Sequence, residues 1–190
     1  MCLLLFVLWS PLALAETIKV AVAANFSAAM KELVAEFEKT SGHIVTLSFA
    51  STGKFYAQIV NGAPYHAFFS ADQATAEKLE QQKKALSDSR FTYAIGALAL
   101  WSSQPDFIDD QLQALRSGQF NKLALANPQF APYGVAAVEV LEKLELKNST
   151  RAKWVLGENI AQTFQFAATG NADLAFVALA QIAARGVIKK

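Results

Sequence analysis

After Thr17 the chain alternates short apolar runs with amphipathic ones at almost every step, and this alternation limits the fold more than any other feature. Residues 18–23 (IKVAVA) are a β-branched and small apolar run, the pattern of a buried strand. Met30, Leu33, Val34 and Phe37 follow at the i, i+3, i+4, i+7 spacing of one helix face, and Gly42 stands where a helix terminates. Residues 43–49 alternate as a strand again. Residues 52–60 place Phe55, Ile59 and Val60 on one helical face and stop at Asn61-Gly62. A short strand at 67–69 leads to Asp72, a residue type suited to cap a helix over 73–84. Strand then helix, three times running, predicts a mainly parallel sheet flanked by helices.

The second half repeats the theme after a longer extended run at 91–101 (FTYAIGALALW). Helices are expected near 109–117, 134–144 and 159–168, and strands at 122–126, 154–156 and 173–178. With no flexible linker in between, the boundary falls within a strand. The expectation is an α/β chain of two lobes, residues 16–93 and residues 94–190, the second beginning with the crossover strand.

At 190 residues and 53% hydrophobic, the chain can bury one good core or two small ones. A net charge of +1 leaves no electrostatic footprint for nucleic acid. Residues 1–15 (MCLLLFVLWSPLALA) are apolar, uncharged and end in a small-x-small pattern, as a cleaved signal peptide does, although the usual leading Lys or Arg is missing. The stretch is too short to span a bilayer. The single cysteine, Cys2, lies inside it, so the mature chain would have no thiol for a disulfide, a metal or a nucleophile. Export without disulfides points to a bacterial periplasm.

Three junctions in the first half share one design: a strand ending in small residues, then Ser, Thr, Asn or Asp, then a helix. They are Ala23-Ala24-Asn25-Phe26-Ser27, Phe49-Ala50-Ser51-Thr52-Gly53 and Phe69-Ser70-Ala71-Asp72. In a parallel sheet all three face one crevice beyond the carboxyl ends of the strands. Helix starts offer unpaired N–H groups and partial positive charge, which attract anions. Ser27, Ser51 and Thr52 add hydroxyls, and Gly53 permits close backbone approach. The same residue types are ordinary helix caps, so spacing leaves a cap and an anion site both open.

Catalytic patterns are weaker. No G-x-S-x-G elbow, P-loop or dinucleotide fingerprint occurs. His43 and His66 have no Cys, Asp or Glu at metal-ligand spacing, and Asp109-Asp110 reads as helix-start charge. His43 suits a solvated turn and His66 a local structural role.

The stretches "VAVAANFSAAMKELVAEFEKTSGHIVTLSFASTGKFYAQIVNGAPY", "FFSADQATAEKLEQ", "SRFTYAIGALALWS", "LALANPQFAPYGVAAVEVLEKL" and "GENIAQTFQFAATGNADLAFVAL" resemble, in order, the periplasmic molybdate-binding proteins of ATP-driven importers. The likeness runs over about residues 16–188. It implies a two-lobed periplasmic-binding-protein fold that closes on its ligand like a hinge. It also implies a monomeric, non-enzymatic carrier without cofactor that delivers molybdate or tungstate to a membrane permease. The metal would be held as its oxyanion, with no direct protein ligand.

The resemblance places the family's first oxyanion contact on Asn25 and Ser27, with Phe26 between them, and the second on Ser51 with Thr52 adjacent. From the other lobe, the P-x-G turn supplies Tyr133 and the E-N-I turn the backbone of Ile160. A tyrosine that some members carry in the last strand corresponds to about Ala178. His66-Ala67 replaces an acidic residue usual in the family. Members continue for several tens of residues beyond "ARGVIKK", so a C-terminally truncated fold is expected, with a sheet edge and apolar surface uncovered. Neutral donors suit a carrier that must release a dianion, and sulfate, with shorter bonds, would not reach all donors at once. The alternative of another class is a truncated remnant or scaffold without ligand. A hydrolase using Ser27 or Ser51 is the least supported reading, because no base accompanies either serine.

Overall fold

The computed structural model describes residues 17–183. The export segment with Cys2, and Lys189-Lys190, lie outside the described residues. The first half forms β1 (Thr17–Ala23), α1 (Ser27–Ser41), β2 (Ile44–Ala50), α2 (Thr52–Val60), β3 (Ala67–Phe69) and α3 (Gln73–Gln81). The second half forms β4 (Leu98–Trp101), α4 (Gln113–Ser117), β5 (Leu123–Ala126), α5 (Pro132–Lys143), α6 (Lys147–Thr150), β6 (Trp154–Gly157), α7 (Ile160–Ala168), β7 (Leu174–Ala178) and α8 (Leu179–Ala183).

The α/β expectation holds, and each lobe is built on its own sheet. The first sheet has the order β2-β1-β3 and is wholly parallel, with Val20 opposite Leu47 and Val22 opposite both Phe49 and Phe69. Alternation along β1 divides its side chains between two helices. Val20 and Val22 pack with Met30 and Val34 of α1, while on the other face Phe55 of α2 meets the Phe68 ring at 5.9 Å. The second sheet has the order β4-β7-β5-β6, parallel except for β4, which runs antiparallel to β7. Its central strands β5 and β7 are buried along their whole length. One core joins Leu123, Leu125, Leu174 and Phe176 to Leu141 of α5, and a second joins Ala124, Ala175 and Val177 to Phe164 and Ala167 of α7.

Several boundaries differ from the sequence reading, each for a local reason. The run at 91–101 enters a ladder only at Leu98, and residues 91–97 cross between the sheets unpaired. The helix expected over 73–84 ends at Gln81, just before Lys83 takes a left-handed backbone (φ 55°). The helix expected from 109 starts at Gln113, because Leu112 is left-handed (φ 55°) and Asp109 Oδ1 accepts from the N–H groups of Gln111 and Gln113. Neither α6 nor α8 was expected. At the first junction a 3₁₀ turn over Ala24–Phe26 precedes α1, so Asn25 lies in the turn and caps nothing.

Candidate functional site

The carboxyl ends of β1, β2, β5 and β6 converge where the two sheets face each other. The first lobe brings Asn25 from the turn after β1, and Ser51 and Thr52 from the start of α2. The second brings Tyr133 from the first turn of α5, and Asn159 and Ile160 from the start of α7. All six line one small cavity of about 10 Å³, room for roughly one water-sized sphere. The lobes approach this closely because their contact is made of small residues: Ala24 packs with Ala126, Ala131 and Ala178, and with Ile160.

Each donor is positioned by its neighbours. Ser51 is the N-cap residue of α2, yet its side chain makes no capping bond. Its Oγ has no partner although the residue is only 3% exposed, and among the described residues it is the one buried side-chain polar atom in that state. An orphaned buried hydroxyl costs about 1–3 kcal/mol, so it marks a place where a partner belongs. Thr52, equally buried, is already engaged: its Oγ1 accepts from Ala71 N–H at 3.0 Å, tying the second junction to the third.

In the second lobe, Asn159 caps α7 by accepting from Ala161 N–H (3.0 Å) and Gln162 N–H (3.1 Å). Ile160, the first helical residue, keeps an N–H with no intrahelical acceptor. Gln181 steadies this turn, donating to the Ile160 carbonyl at 3.2 Å while its own Oε1 accepts from Ala178 N–H. Tyr133 fits because Gly96, in the unpaired crossing, leaves room for its hydroxyl; a Cβ there would overlap Tyr133 Oη. Gly134 is pressed against the Ala126 carbonyl in the same way, which accounts for the glycine of the P-x-G turn.

The electrostatics are uniform. No lysine, arginine, aspartate or glutamate lines the cavity. Burial raises the Tyr133 hydroxyl above the ordinary tyrosine range, with hydrogen bonding from Asn25 pulling the other way. Nearby, Tyr93 is pushed up to about 12, chiefly by burial and further by Tyr133. Both phenols therefore stay protonated, and the Tyr133 hydroxyl can serve the cavity as a neutral donor. Tyr93 donates instead to the Ser70 carbonyl at 2.7 Å and packs its ring tilted against Phe26 and edge-on to Phe69.

Among the expected residues, the structure gathers Asn25, Ser51, Thr52, Tyr133 and Ile160. Ser27 and Phe26 do not line the cavity: Ser27 is the first residue of α1, and Phe26 packs on the Phe69 and Tyr93 rings. Gly53 permits a close approach, but of the other lobe: its N–H donates to the Phe130 carbonyl at 2.8 Å. Asp72 caps α3 as expected, accepting from Thr75 N–H at 2.6 Å. His66 has a local role, its Nδ1 accepting from Lys19 N–H at 2.9 Å, and His43 is exposed. Sequence reasoning missed Asn159, whose position before an apolar helical run is a cap signal, and Gln181, for which no such signal exists.

A larger cavity, about 730 Å³, lies against β3, α3 and residues 83–95. Its lining includes Phe68, Leu79, Leu86, Phe91 and Ile95 and holds no orphaned buried polar side-chain atom. Among the described residues no group of three or more His, Cys, Asp or Glu is placed to hold a metal ion, and no helix is long and apolar enough to cross a membrane.

Comparison with known proteins gives a consistent picture. The family model for bacterial extracellular solute-binding proteins matches residues 18–189. The molybdate-binding protein ModA of Azotobacter vinelandii is 54% identical over 168 residues, covering 88% of this chain and 67% of that protein. ModA of Rhodobacter capsulatus is 44% identical over 162 residues, covering 85% and 64%. The solved periplasmic molybdate-binding protein of Azotobacter vinelandii superposes with a TM-score of 0.84 at 47% identity, covering 86% of this chain and 72% of that one. The chain thus spans about two thirds of the length of these curated relatives. With a family model matched over most of its length and more than half of the aligned residues shared with one relative, the chain belongs to the bacterial extracellular solute-binding proteins, in the group of periplasmic molybdate-binding proteins.

Proposed function

We propose that this protein is a periplasmic receptor that captures molybdate, or tungstate, between its two lobes and delivers it to the membrane permease of an ATP-driven importer. The observation that carries the reading is Ser51 Oγ, buried and unpartnered in an uncharged cavity where donors of both lobes meet. The cavity admits only about one water-sized sphere, so the lobes part to admit a tetrahedral dianion. The dianion would accept from this hydroxyl, from the Tyr133 hydroxyl, from the Asn25 side chain and from the free N–H of Ile160. Helix starts at α2 and α7 add partial positive charge. With no cation in the lining, the ligand's charge is spread over oriented neutral donors, which suits a carrier that must also let go. The names of the relatives supply the choice of oxyanion.

The reading has no catalytic step and no cofactor. Ser51 lacks the adjacent base that a hydrolase would need. The chain acts as a monomer, exported by its N-terminal apolar segment.

Thermal unfolding tests this directly. Micromolar molybdate or tungstate should raise the melting temperature while equal sulfate leaves it unchanged, since a ligand at a hundred times its Kd contributes about 2.7 kcal/mol. Absence of a shift with either metal oxyanion would count decisively against the reading.

A further inference from the structure

Gly53 permits close backbone approach, and the structure gives that space to the other lobe. The Gly53 N–H, the second of α2, donates to the Phe130 carbonyl at 2.8 Å. A Cβ at position 53 would stand 2.9 Å from Phe130 O and 3.0 Å from Phe130 Cα. Both are backbone atoms, which cannot swing aside as a side chain would. The Phe130 loop is itself fixed, because the N–H groups of Phe130 and Ala131 both donate to the Asn127 carbonyl. One residue further along α2, Lys54 Nζ meets Glu158 Oε2 at 2.9 Å, from the turn that presents Asn159 and Ile160. Gly53 and Lys54 thus engage both second-lobe turns that contribute to the cavity, the one that presents Tyr133 and the one that presents Ile160.

From this juxtaposition we infer that Gly53 and Phe130, with the Lys54–Glu158 pair beside them, form a latch that sets how long the lobes stay shut on bound oxyanion. The inference rests on the proposed receptor function for its ligand, and on geometry alone for its effect on closure. The latch exists only when the lobes meet: apart, Gly53 N–H and Phe130 C=O are both solvated and nothing crowds position 53. Gly53 has no left-handed backbone, and alanine is the better helix former, so Gly53→Ala leaves the separated first lobe intact. Its methyl group is excluded only from the closed form. The ion pair, half-buried at Lys54 and exposed at Glu158, acts as a weaker, salt-sensitive part of the same contact.

The test uses the whole chain, with molybdate as probe, measuring affinity, release by stopped flow, and the radius of gyration by small-angle scattering. Gly53→Ala should bind roughly tenfold to a hundredfold more weakly, the effect of one overpacked methyl, with most of the loss in faster release. Its ligand-free form should scatter as a more open particle. Glu158→Lys, at the exposed rim, repeats the test without touching a packed residue: release should quicken by about threefold at low salt and return to normal at high salt. If the unaltered protein binds molybdate and both variants release it at the original rate, the latch is overturned. If the unaltered protein does not bind molybdate, the receptor reading fails, and scattering alone judges the latch: a more open Gly53→Ala particle upholds it and an unchanged one overturns it.

Discussion

The two lobes solve the burial problem differently. In the second, β5 and β7 are buried throughout, with α5 against one face of the sheet and α7 against the other, so its core is its own. In the first, only β1 is deeply buried, and only from Val20 onward. Its edge strand β2 has no fully buried residue, and α1 buries Met30 alone. Leu33 and Phe37 of α1 and Ile44 of β2 are 55%, 42% and 54% exposed. The first lobe's buried polar residues, Ser51, Thr52 and Ser70, all follow strand ends, and Ser51 and Thr52 line the cavity shared with the other lobe. The first lobe thus keeps a small core of its own, with Val22, Phe55 and Leu79 no more than 2% exposed, and places a second buried set, Ser51 and Thr52, at the shared cavity. The first lobe divides its burial between that core and the cleft, whereas the second lobe's two cores lie within itself.

The sharpest way to break that contrast is to empty the second core. Leu141 is fully buried among Leu125, Leu174 and Phe176. Leu141→Ala should cost about 2–5 kcal/mol in urea unfolding, the usual cost of a large-to-small change in a packed core. A cost below about 1 kcal/mol would show that the second lobe is no more tightly built than the first. At the cleft, Ser51→Ala removes an orphaned hydroxyl. Molybdate binding should weaken by about 1–3 kcal/mol in a calorimetric titration, while the ligand-free protein becomes no less stable. Unchanged affinity would take Ser51 out of the site.

The same contrast explains how much could be read from the sequence. Periodicity located six of the seven strands to within a residue, and α2 to the residue, because each burial face has its own repeat. Helix ends were missed where a single non-glycine residue turns left-handed, as Lys83 and Leu112 do, which no composition signal announces. The crossing at 91–97 carries strand-like residues but joins no ladder, passing between the sheets and making room for Tyr133 at Gly96. At the site, Asn25 and Ser51 were visible as polar residues after apolar strands. Their convergence with Tyr133 and Ile160 came from family likeness, because contacts between lobes leave no local pattern. The close approach at Gly53 was legible but, for the same reason, not that Phe130 of the other lobe makes it.

A smaller effect is expected where the first lobe meets the crossing. The Tyr93 hydroxyl, donating to the Ser70 carbonyl, titrates at about 12 when folded, above its ordinary value of 10. Its stabilisation is complete below pH 10 and is lost as pH rises towards 12, because the unfolded chain gives up this proton first. Melting curves across that window should show a steeper decline in the original protein than in Tyr93→Phe. Parallel declines would mean that Tyr93 is not held in the folded state.

The smallest change belongs to the uncovered face of the first lobe. Phe37 lies on α1 with its ring 6.3 Å from His43, and Leu33 one turn earlier is more exposed still. Phe37 keeps 42% of its surface in water on folding, so Phe37→Ser should cost only about 1 kcal/mol, well below a core truncation. Solubility should improve, because Leu33, Phe37 and Ile44 present apolar surface next to the edge strand β2. Urea unfolding together with light scattering at rising protein concentration separates the two effects. A loss above about 2 kcal/mol would mean that this face is covered in solution, and the first lobe would then rely on that cover as well as on the cleft.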